Sequence, residues 1–242
     1  FGWYGPAMNT HRSAFAGRNF EYYSEDGVLA GYCAAAEING AVENLVYPYI
    51  KHFALNELET NRCTFLLTFA DEQAIREIYL KPFEMAVKAY EGKTLAVMSS
   101  FNFIGTRPST ANGNLLNNVL RDEWGFVGMV ETDYDGSYGF MYSDHGVRNG
   151  NDLMLGFGSA ETNQFTDQSA TAALAMRQAC KNIMYTIVNS GYYTGVESDP
   201  ADAPDKMVTT FRNVDLGIGA ILLLLEALLI RSFLKRRKEQ QA

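Results

Sequence analysis

A carboxylate placed directly after a buried strand is the clearest chemical signal in this chain. Asp133 follows the apolar run 126–130, which predicts a strand, and Asp135 and Gly136 then indicate a turn. The carboxyl end of a parallel strand is where (β/α)8 barrels carry their reacting groups. An Asp after a strand also commonly caps the next helix. This stretch by itself therefore leaves a catalytic and a capping interpretation open.

Three further polar segments hold side chains that suit a binding site. Residues 9–26, NTHRSAFAGRNFEYYSED, combine arginines, carboxylates and aromatic rings with little periodicity, as binding loops often do. Aromatic rings stack on sugar faces, while Arg and carboxylate groups hydrogen-bond sugar hydroxyls. A surface loop held by ion pairs is the simpler alternative. The segment VMSSFNFIG, residues 97–105, is a predicted strand that runs into a loop.

Lys51 and His52 follow a β-leaning stretch. Adjacent residues on a regular strand face opposite sides, so both can enter one pocket only if the backbone is irregular there. Such irregularity is frequent beside active sites. A solvated sheet edge would explain the same two residues.

Strand-like and helix-like stretches alternate along the chain, which favours an α/β fold with a parallel sheet. About four strands are predicted, fewer than a complete barrel of ~250 residues requires. The expected architecture is therefore a partial (β/α)8 TIM-type barrel whose first strands are missing. Thr68 is a possible helix N-cap, and Gly92 follows that helix. The predicted helices are 28–44, 71–90, 115–124 and 167–189, and the predicted strands are 45–53, 95–101, 126–132 and 151–155.

Composition excludes some classes of function. The chain has 242 residues and a net charge of -8, and five of its 20 basic residues lie within 216–242. The remainder is strongly acidic, which argues against a nucleic-acid surface. The cysteines show no metal-finger spacing and are expected to be free, buried thiols. No metal and no cofactor is predicted. The cysteines are Cys33, Cys63 and Cys180.

The end of the chain predicts a membrane anchor. Residues 195–213 are acidic and contain proline, as linkers do, and residues 214–234 are apolar enough for one transmembrane helix. Residues 235–242 are a basic tail, which the positive-inside rule assigns to the cytoplasm, leaving the body outside the cell. Glu226 would need a partner within such a span. A buried or oligomerising helix is the alternative.

The polar segments, taken together and in this order, resemble glycoside hydrolase family 3, the β-glucosidase and β-xylosidase group. The resemblance covers roughly Trp3 to Tyr193. It implies that residues 1–194 are the C-terminal portion of the family's barrel domain. The segment that follows Lys51-His52 lacks the Gly-His-Gly loop typical of N-acetylglucosaminidase members, which favours the β-glucosidase-like branch. The matching stretches are NTHRSAFAGRNFEYYSED, KHFALNELETNR, VMSSFNFIG, LLNNVLRDEWGFVGMVETDY and GNDLML.

The resemblance also implies roles for individual residues. Asp133 corresponds to the nucleophile of a retaining, exo-acting β-glycosidase, and Tyr134 would border the sugar. Phe101 is also implied to be a substrate-binding residue; it stands where the family often has a Tyr that contacts the nucleophile, so that hydroxyl is absent. The implied ligands of the sugar hydroxyls are Arg18, Lys51, His52 and Arg62.

The resemblance places the acid/base residue elsewhere. In β-glucosidase-like members it lies on a separate α/β-sandwich domain, which some members carry before the barrel. We therefore expect the acid/base outside this chain, and the isolated chain to have little or no activity. The substrate would be an oligosaccharide or β-glycoside. The alternative is a non-catalytic carbohydrate-binding descendant.

Overall fold

The computed structural model of the chain describes residues 1–89, 94–135, 138–156, 164–192 and 206–241. The chain divides into two compact units, Phe1–Val196 and Glu197–Ala242. The strands are β1 (Gly2–Trp3), β2 (Tyr47–Phe53), β3 (Leu67–Thr68), β4 (Ala96–Ser99), β5 (Phe103–Ile104), β6 (Arg107–Pro108) and β7 (Met129–Glu131). The helices are α1 (Gly27–Glu43), α2 (Glu72–Ala74), α3 (Lys81–Lys88), α4 (Ser143–Arg148), α5 (Ala170–Val188) and α6 (Lys206–Gln241), with 3-10 turns at Asn19–Glu21 and Ser109–Ala111 and π-helical segments at Ile75–Tyr79 and Asn114–Glu123.

A parallel sheet organises the first unit. Its strands lie in the order β1-β2-β4-β7, and each neighbouring pair is parallel. Helical segments connect successive strands, and parallel bridges from Glu131 to Leu153 and from Asp135 to Gly156 continue the sheet beyond β7. The α/β class and the parallel sheet are confirmed. Over the described residues the sheet is open, so a barrel remains a prediction.

Helices α1 and α3 pack against one face of this sheet and form the main apolar core, while Ile183 of α5 packs against Tyr49, Ala96 and Met129 of the other face. Asp26 caps α1, because its side chain accepts hydrogen bonds from the backbone N–H groups of Val28 and Leu29. The Phe53 ring at the end of β2 contacts the Phe83 ring of α3, with the centroids 5.2 Å apart. The ring contact packs the end of β2 against α3. Other fully buried members of the core are Ile38, Ile50, Leu80, Val97, Leu116, Leu120 and Val130.

Several predicted boundaries differ from the structure. Asp71, not Thr68, caps the helix that was predicted over 71–90, since Thr68 belongs to β3 and pairs with Ile104. That helix is interrupted by the π-helical turn Ile75–Tyr79 before it continues as α3. Within the predicted strand 151–155, Leu153 forms an isolated parallel bridge to Glu131 and no regular strand is described. Gly92 and Gly136, named above as helix-end and turn residues, lie outside the described residues.

The second unit contains α6, a helix of 36 residues. Within it, Arg212–Phe233 has a mean hydropathy of 2.0 and none of it is buried, so by length and composition it could cross a membrane. The predicted linker 195–213 is wrong over its last part, because the helix already begins at Lys206. Pro204 is the last proline of the chain, so no proline interrupts the helix that begins at Lys206. The rest of the predicted linker, 195–205, lies outside the described residues.

Candidate active site

A polar cleft of about 540 Å³ opens at the carboxyl ends of β2, β4 and β7. Its volume lies within the range usual for small-molecule sites. The cleft brings together Asp133 and all four predicted ligands of the sugar hydroxyls. These five residues come from three separate segments of the chain. The lining residues are Tyr4, Gly17, Arg18, Lys51, His52, Glu59, Arg62, Met98, Asp133 and Leu155.

Asp133 is fixed at the end of β7 and is 8% exposed. Its backbone N–H donates to the carbonyl of Ser99 at the end of β4, over 3.0 Å. Its Oδ1 accepts a hydrogen bond of 2.7 Å from the backbone N–H of Tyr134. Its Oδ2 has no hydrogen-bond partner among the described residues. One carboxylate oxygen is therefore anchored, and the other is a buried acceptor that no hydrogen-bond donor of the described residues satisfies.

Burial raises the pKa of Asp133 above the usual value for Asp. The hydrogen bond from Tyr134 and the charges of Arg62 and Arg18 act in the opposite direction but do not outweigh the loss of hydration. The nearby cations do lower this pKa, but the net shift is upward because the carboxyl is almost completely enclosed.

His52 lies against Asp133, with Nε2 3.7 Å from Oδ2. Burial lowers the pKa of His52 well below its usual value, and the cations Arg18, Lys51 and Arg62 lower it further. The imidazole is therefore neutral at pH 7. A neutral imidazole offers one donor and one acceptor to a ligand.

An irregular backbone brings Lys51 and His52 to the same cleft. The register of β2 against β4 shifts between Ile50 and Phe53. The side chain of Asn9 fixes this segment, because it donates to the His52 carbonyl over 3.0 Å and accepts from the His52 N–H over 2.8 Å. The irregularity that the sequence required for a shared pocket is thus present.

Two carboxylates connect the cations of the cleft, and sequence reasoning did not assign either. Glu21 contacts Arg18 and lies 3.5 Å from Nζ of Lys51. Glu59 lies 2.8 Å from a guanidinium nitrogen of Arg62 and 3.9 Å from one of Arg18. A signal was available, since each carboxylate stands three residues from an arginine of its own segment.

Phe101 and Tyr134 do not line the cleft. Phe101 is 1% exposed and supports Arg62, whose guanidinium carbon lies 4.4 Å from the centre of the ring. The ring also packs against those of Tyr138 and Phe140. Tyr134 is 39% exposed and contacts Asp133 through its backbone. A direct sugar contact by either side chain stays a prediction.

Two further buried carboxyl groups lie close to the cleft without lining it. Burial raises the pKa of Glu131 to about 7, and the charge of Asp133 contributes, while a hydrogen bond with Tyr4 opposes the shift. Burial likewise raises the pKa of Glu57 to about 7, although Asn9 donates to it over 3.4 Å. The sequence marked neither group as unusual, since burial is a tertiary property.

The structure describes all three cysteines as free thiols, but they are not buried as predicted. Cys33 and Cys63 are partly exposed and Cys180 is exposed, since it faces outward on α5. Over the described ranges, no cluster of three His, Cys, Asp or Glu side chains is arranged to hold a metal ion.

The fold and the cleft define an α/β protein with a carboxylate at a strand end, surrounded by donors that suit a polyhydroxylated ligand. Residues 3–148 match the family model described as the glycosyl hydrolase family 3 N-terminal domain. The chain belongs to glycoside hydrolase family 3.

Relatives in this family are β-glucosidases. The chain is 46% identical over 159 residues to β-glucosidase A of Butyrivibrio fibrisolvens, which is 66% of the chain and 18% of that protein. It is 50% identical over 133 residues to a β-glucosidase of Rhizobium radiobacter, or 55% of the chain and 16% of that protein. Among solved structures, β-glucosidase 3B of Thermotoga neapolitana in complex with glucose is similar with a TM-score of 0.72 and 34% identity, over 85% of this chain and 29% of that one. The chain thus spans less than a fifth of the length of these two curated relatives.

Proposed function

We propose that the protein containing this chain is a retaining, exo-acting β-glycosidase of the β-glucosidase type. It hydrolyses terminal, non-reducing β-D-glycosyl residues of oligosaccharides or glycosides. The observation that carries the proposal is Oδ2 of Asp133, an acceptor without a hydrogen-bond donor, on a carboxylate that lines the same cleft as Arg18, Lys51, His52 and Arg62. The β-glucosidase names of the relatives support the same reaction.

The chain's own groups can bind and attack a β-glycoside. The charged donors Arg18, Lys51 and Arg62, with neutral His52, hydrogen-bond the hydroxyls of one terminal sugar and orient its anomeric carbon. Oδ2 of Asp133 then bonds to that carbon while the bond from the carbon to the leaving oxygen breaks. Water later displaces the carboxylate and releases the sugar with its configuration retained.

Proton transfer requires a second carboxyl group. In retaining enzymes it lies about 5–5.5 Å from the nucleophile, protonates the leaving oxygen and then removes a proton from the attacking water. Glu57 and Glu131 do not line the cleft, and Glu59 is engaged by Arg62. The proposal therefore assigns this role to an α/β-sandwich domain of the same protein, outside this chain. The chain alone is proposed to be inactive or nearly so.

The alternative is sugar binding without hydrolysis. A protonated carboxyl would donate a hydrogen bond to a hydroxyl but would not attack an anomeric carbon. Sugar binding would use the same cationic cleft, but it has no need of an unpartnered carboxylate oxygen, so Oδ2 of Asp133 favours hydrolysis. Only formation of a covalent adduct separates the two.

The same proposal includes a membrane anchor. Arg212–Phe233 has the ~20 residues that a bilayer span requires, and the sequence RSFLKRRK follows the apolar run 216–230. The catalytic body would face the cell exterior and the C-terminus the cytoplasm. If the protein remains soluble in buffer after detergent-free lysis, the anchor is refuted and an oligomerising helix becomes the better interpretation.

The experiment uses the protein expressed from its complete gene. It is incubated with a 2-deoxy-2-fluoro-β-glucoside that carries an activated leaving group, which needs little acid assistance, and digested for peptide mass spectrometry. A sugar adduct on Asp133, absent in Asp133→Asn, is the expected result. A folded protein that binds glucose yet gives no adduct with the glucoside or the xyloside analogue would favour the binding alternative.

A further inference from the structure

Glu59 occupies a central position between two polar segments of the cleft. Its carboxylate lies 2.8 Å from Arg62 on its own segment and 3.9 Å from Arg18 on the segment 9–26. The side chain of Asn56 donates to the same carboxylate over 2.7 Å. The carboxylate is 18% exposed, so solvent screens these contacts only in part.

The backbone reinforces this link. The N–H of Glu59 donates to the carbonyl of Ala16 over 2.9 Å. Gly17 follows with a φ of +99°, and a Cβ at that position would come within 3.1 Å of Cβ of Glu59. A residue other than glycine would be strained there and would press against Glu59. The approach of the two segments is therefore specific to this pair of residues.

The arrangement explains why Asp133 keeps one oxygen free. Arg18 and Arg62 line the same cleft as Asp133 and affect its ionisation, yet its Oδ2 has no hydrogen-bond partner among the described residues. A mobile guanidinium beside a buried carboxylate would pair with it, because charge-assisted bonds are strong at low dielectric. Glu59 gives Arg62 another partner, and together with Glu21 it does the same for Arg18.

We propose that Glu59 is a positioning residue, which holds Arg18 and Arg62 in place for sugar hydroxyls and keeps both guanidinium groups away from the nucleophilic oxygen of Asp133. This inference rests on the proposed function, since it assigns a role in the same cleft. Glu59 itself does not act on the anomeric carbon.

The test compares Glu59→Gln and Glu59→Asp in the complete protein with an activated aryl β-glucoside. Fluoroglucoside titration gives the fraction of active sites, so KM and kcat refer to folded enzyme. Glu59→Gln keeps the size and removes the charge, and we expect kcat/KM to fall roughly 10- to 100-fold, mainly through KM, as for misplaced ligands. Glu59→Asp keeps the charge and should recover part of this loss.

The pH profile provides a readout that a purely structural role would not move. Burial is the largest influence on the pKa of Asp133 and raises it; Tyr134, Arg62 and Arg18 lower it, and Glu59 raises it. Two other titratable groups face Asp133: His52, which is neutral, and Glu131, whose pKa the charge of Asp133 raises. Neutralising Glu59 and releasing the arginines both favour the ionised Asp133, so the acidic limb of kcat/KM should shift to lower pH.

A matched control is available on the surface. Glu123 lies 2.7 Å from Arg76, far along the chain from the cleft residues, and both side chains are exposed. Glu123→Gln also removes one carboxylate from an arginine pair, and it should leave KM and the acidic limb unchanged.

The outcomes separate the two claims. A wild-type protein that forms an adduct, together with a Glu59→Gln variant of unchanged KM and unchanged acidic limb, would overturn the inference alone. A wild-type protein that neither forms an adduct nor binds glucose in calorimetry would refute the proposed function and this inference with it.

Discussion

Glu131 should make the stability of this fold depend on pH in the direction opposite to that of most carboxylates. Burial raises its pKa from 4.5 to about 7, which corresponds to about 3 kcal/mol. Because the folded pKa lies above the unfolded one, the folded state is favoured by protonation. This contribution is fully present below about pH 4.5 and is lost as the pH rises to about 7.

The substitution Glu131→Gln isolates this effect. Glutamine has the same shape, stays neutral at every pH, and can keep the hydrogen bond with the Tyr4 hydroxyl. Near pH 4.5 the two proteins should unfold at similar temperatures, since both side chains are neutral. At pH 8 the variant should be more stable by about 3 kcal/mol, or about 6–12 °C in Tm for a unit of this size.

The assay is calorimetric unfolding of the wild type and the variant across pH 4.5–8. The other titrating groups are the same in both proteins, so their effects cancel in the difference between the two Tm values. Glu123→Gln serves as the control, because pairing with Arg76 lowers the pKa of Glu123 and its trend with pH has the opposite sign. A difference in Tm between Glu131→Gln and the wild type that does not change with pH would show that Glu131 is not held protonated by burial, and would refute the reasoning.

Three further predictions concern the cleft and its support. Burial raises the pKa of Asp133, so the acidic limb of kcat/KM should lie above the ordinary Asp value of about 4, and a midpoint below it would contradict this assignment. Arg121 contacts buried Asp152 over 2.7 Å. Arg121→Met should therefore lower the free energy of unfolding in urea by about 3–5 kcal/mol, with little change in KM. A decrease of less than about 1 kcal/mol would show that the pair is dispensable. Phe101→Leu removes the ring that contacts the Arg62 guanidinium. The loss of about 1 kcal/mol of cation–π energy should raise KM roughly fivefold. An unchanged KM would mean that the ring does not position Arg62.

Local patterns predicted most of the elements of this fold. The helices predicted at 28–44 and 167–189 correspond to α1 and α5, and the apolar runs before Lys51 and Asp133 form β2 and β7. Side-chain periodicity and capping are properties of neighbouring residues, so a single sequence carries them. The helix was predicted to start at residue 71, but its cap was assigned to Thr68, because the pairing of Thr68 with Ile104 is a tertiary contact. The π-helical turn Ile75–Tyr79 was missed.

The site was predicted in part. Asp133, Arg18, Lys51, His52 and Arg62 were named from the sequence, and the structure brings all five to one cleft. Their roles toward a sugar stay predictions until an adduct or a complex is observed.

Only the tertiary structure decided how these groups are tuned. Two carboxylates from distant segments, Glu21 and Glu59, connect the cations, and burial outweighs those cations in setting the pKa of Asp133. The sequence determined which chemical groups are present and which strand or loop holds each one, because that information is local. Distances and hydration between groups that are far apart in the sequence depend on the packed fold, so the unpartnered oxygen of Asp133, the neutral His52 and the buried Glu131 became visible only there.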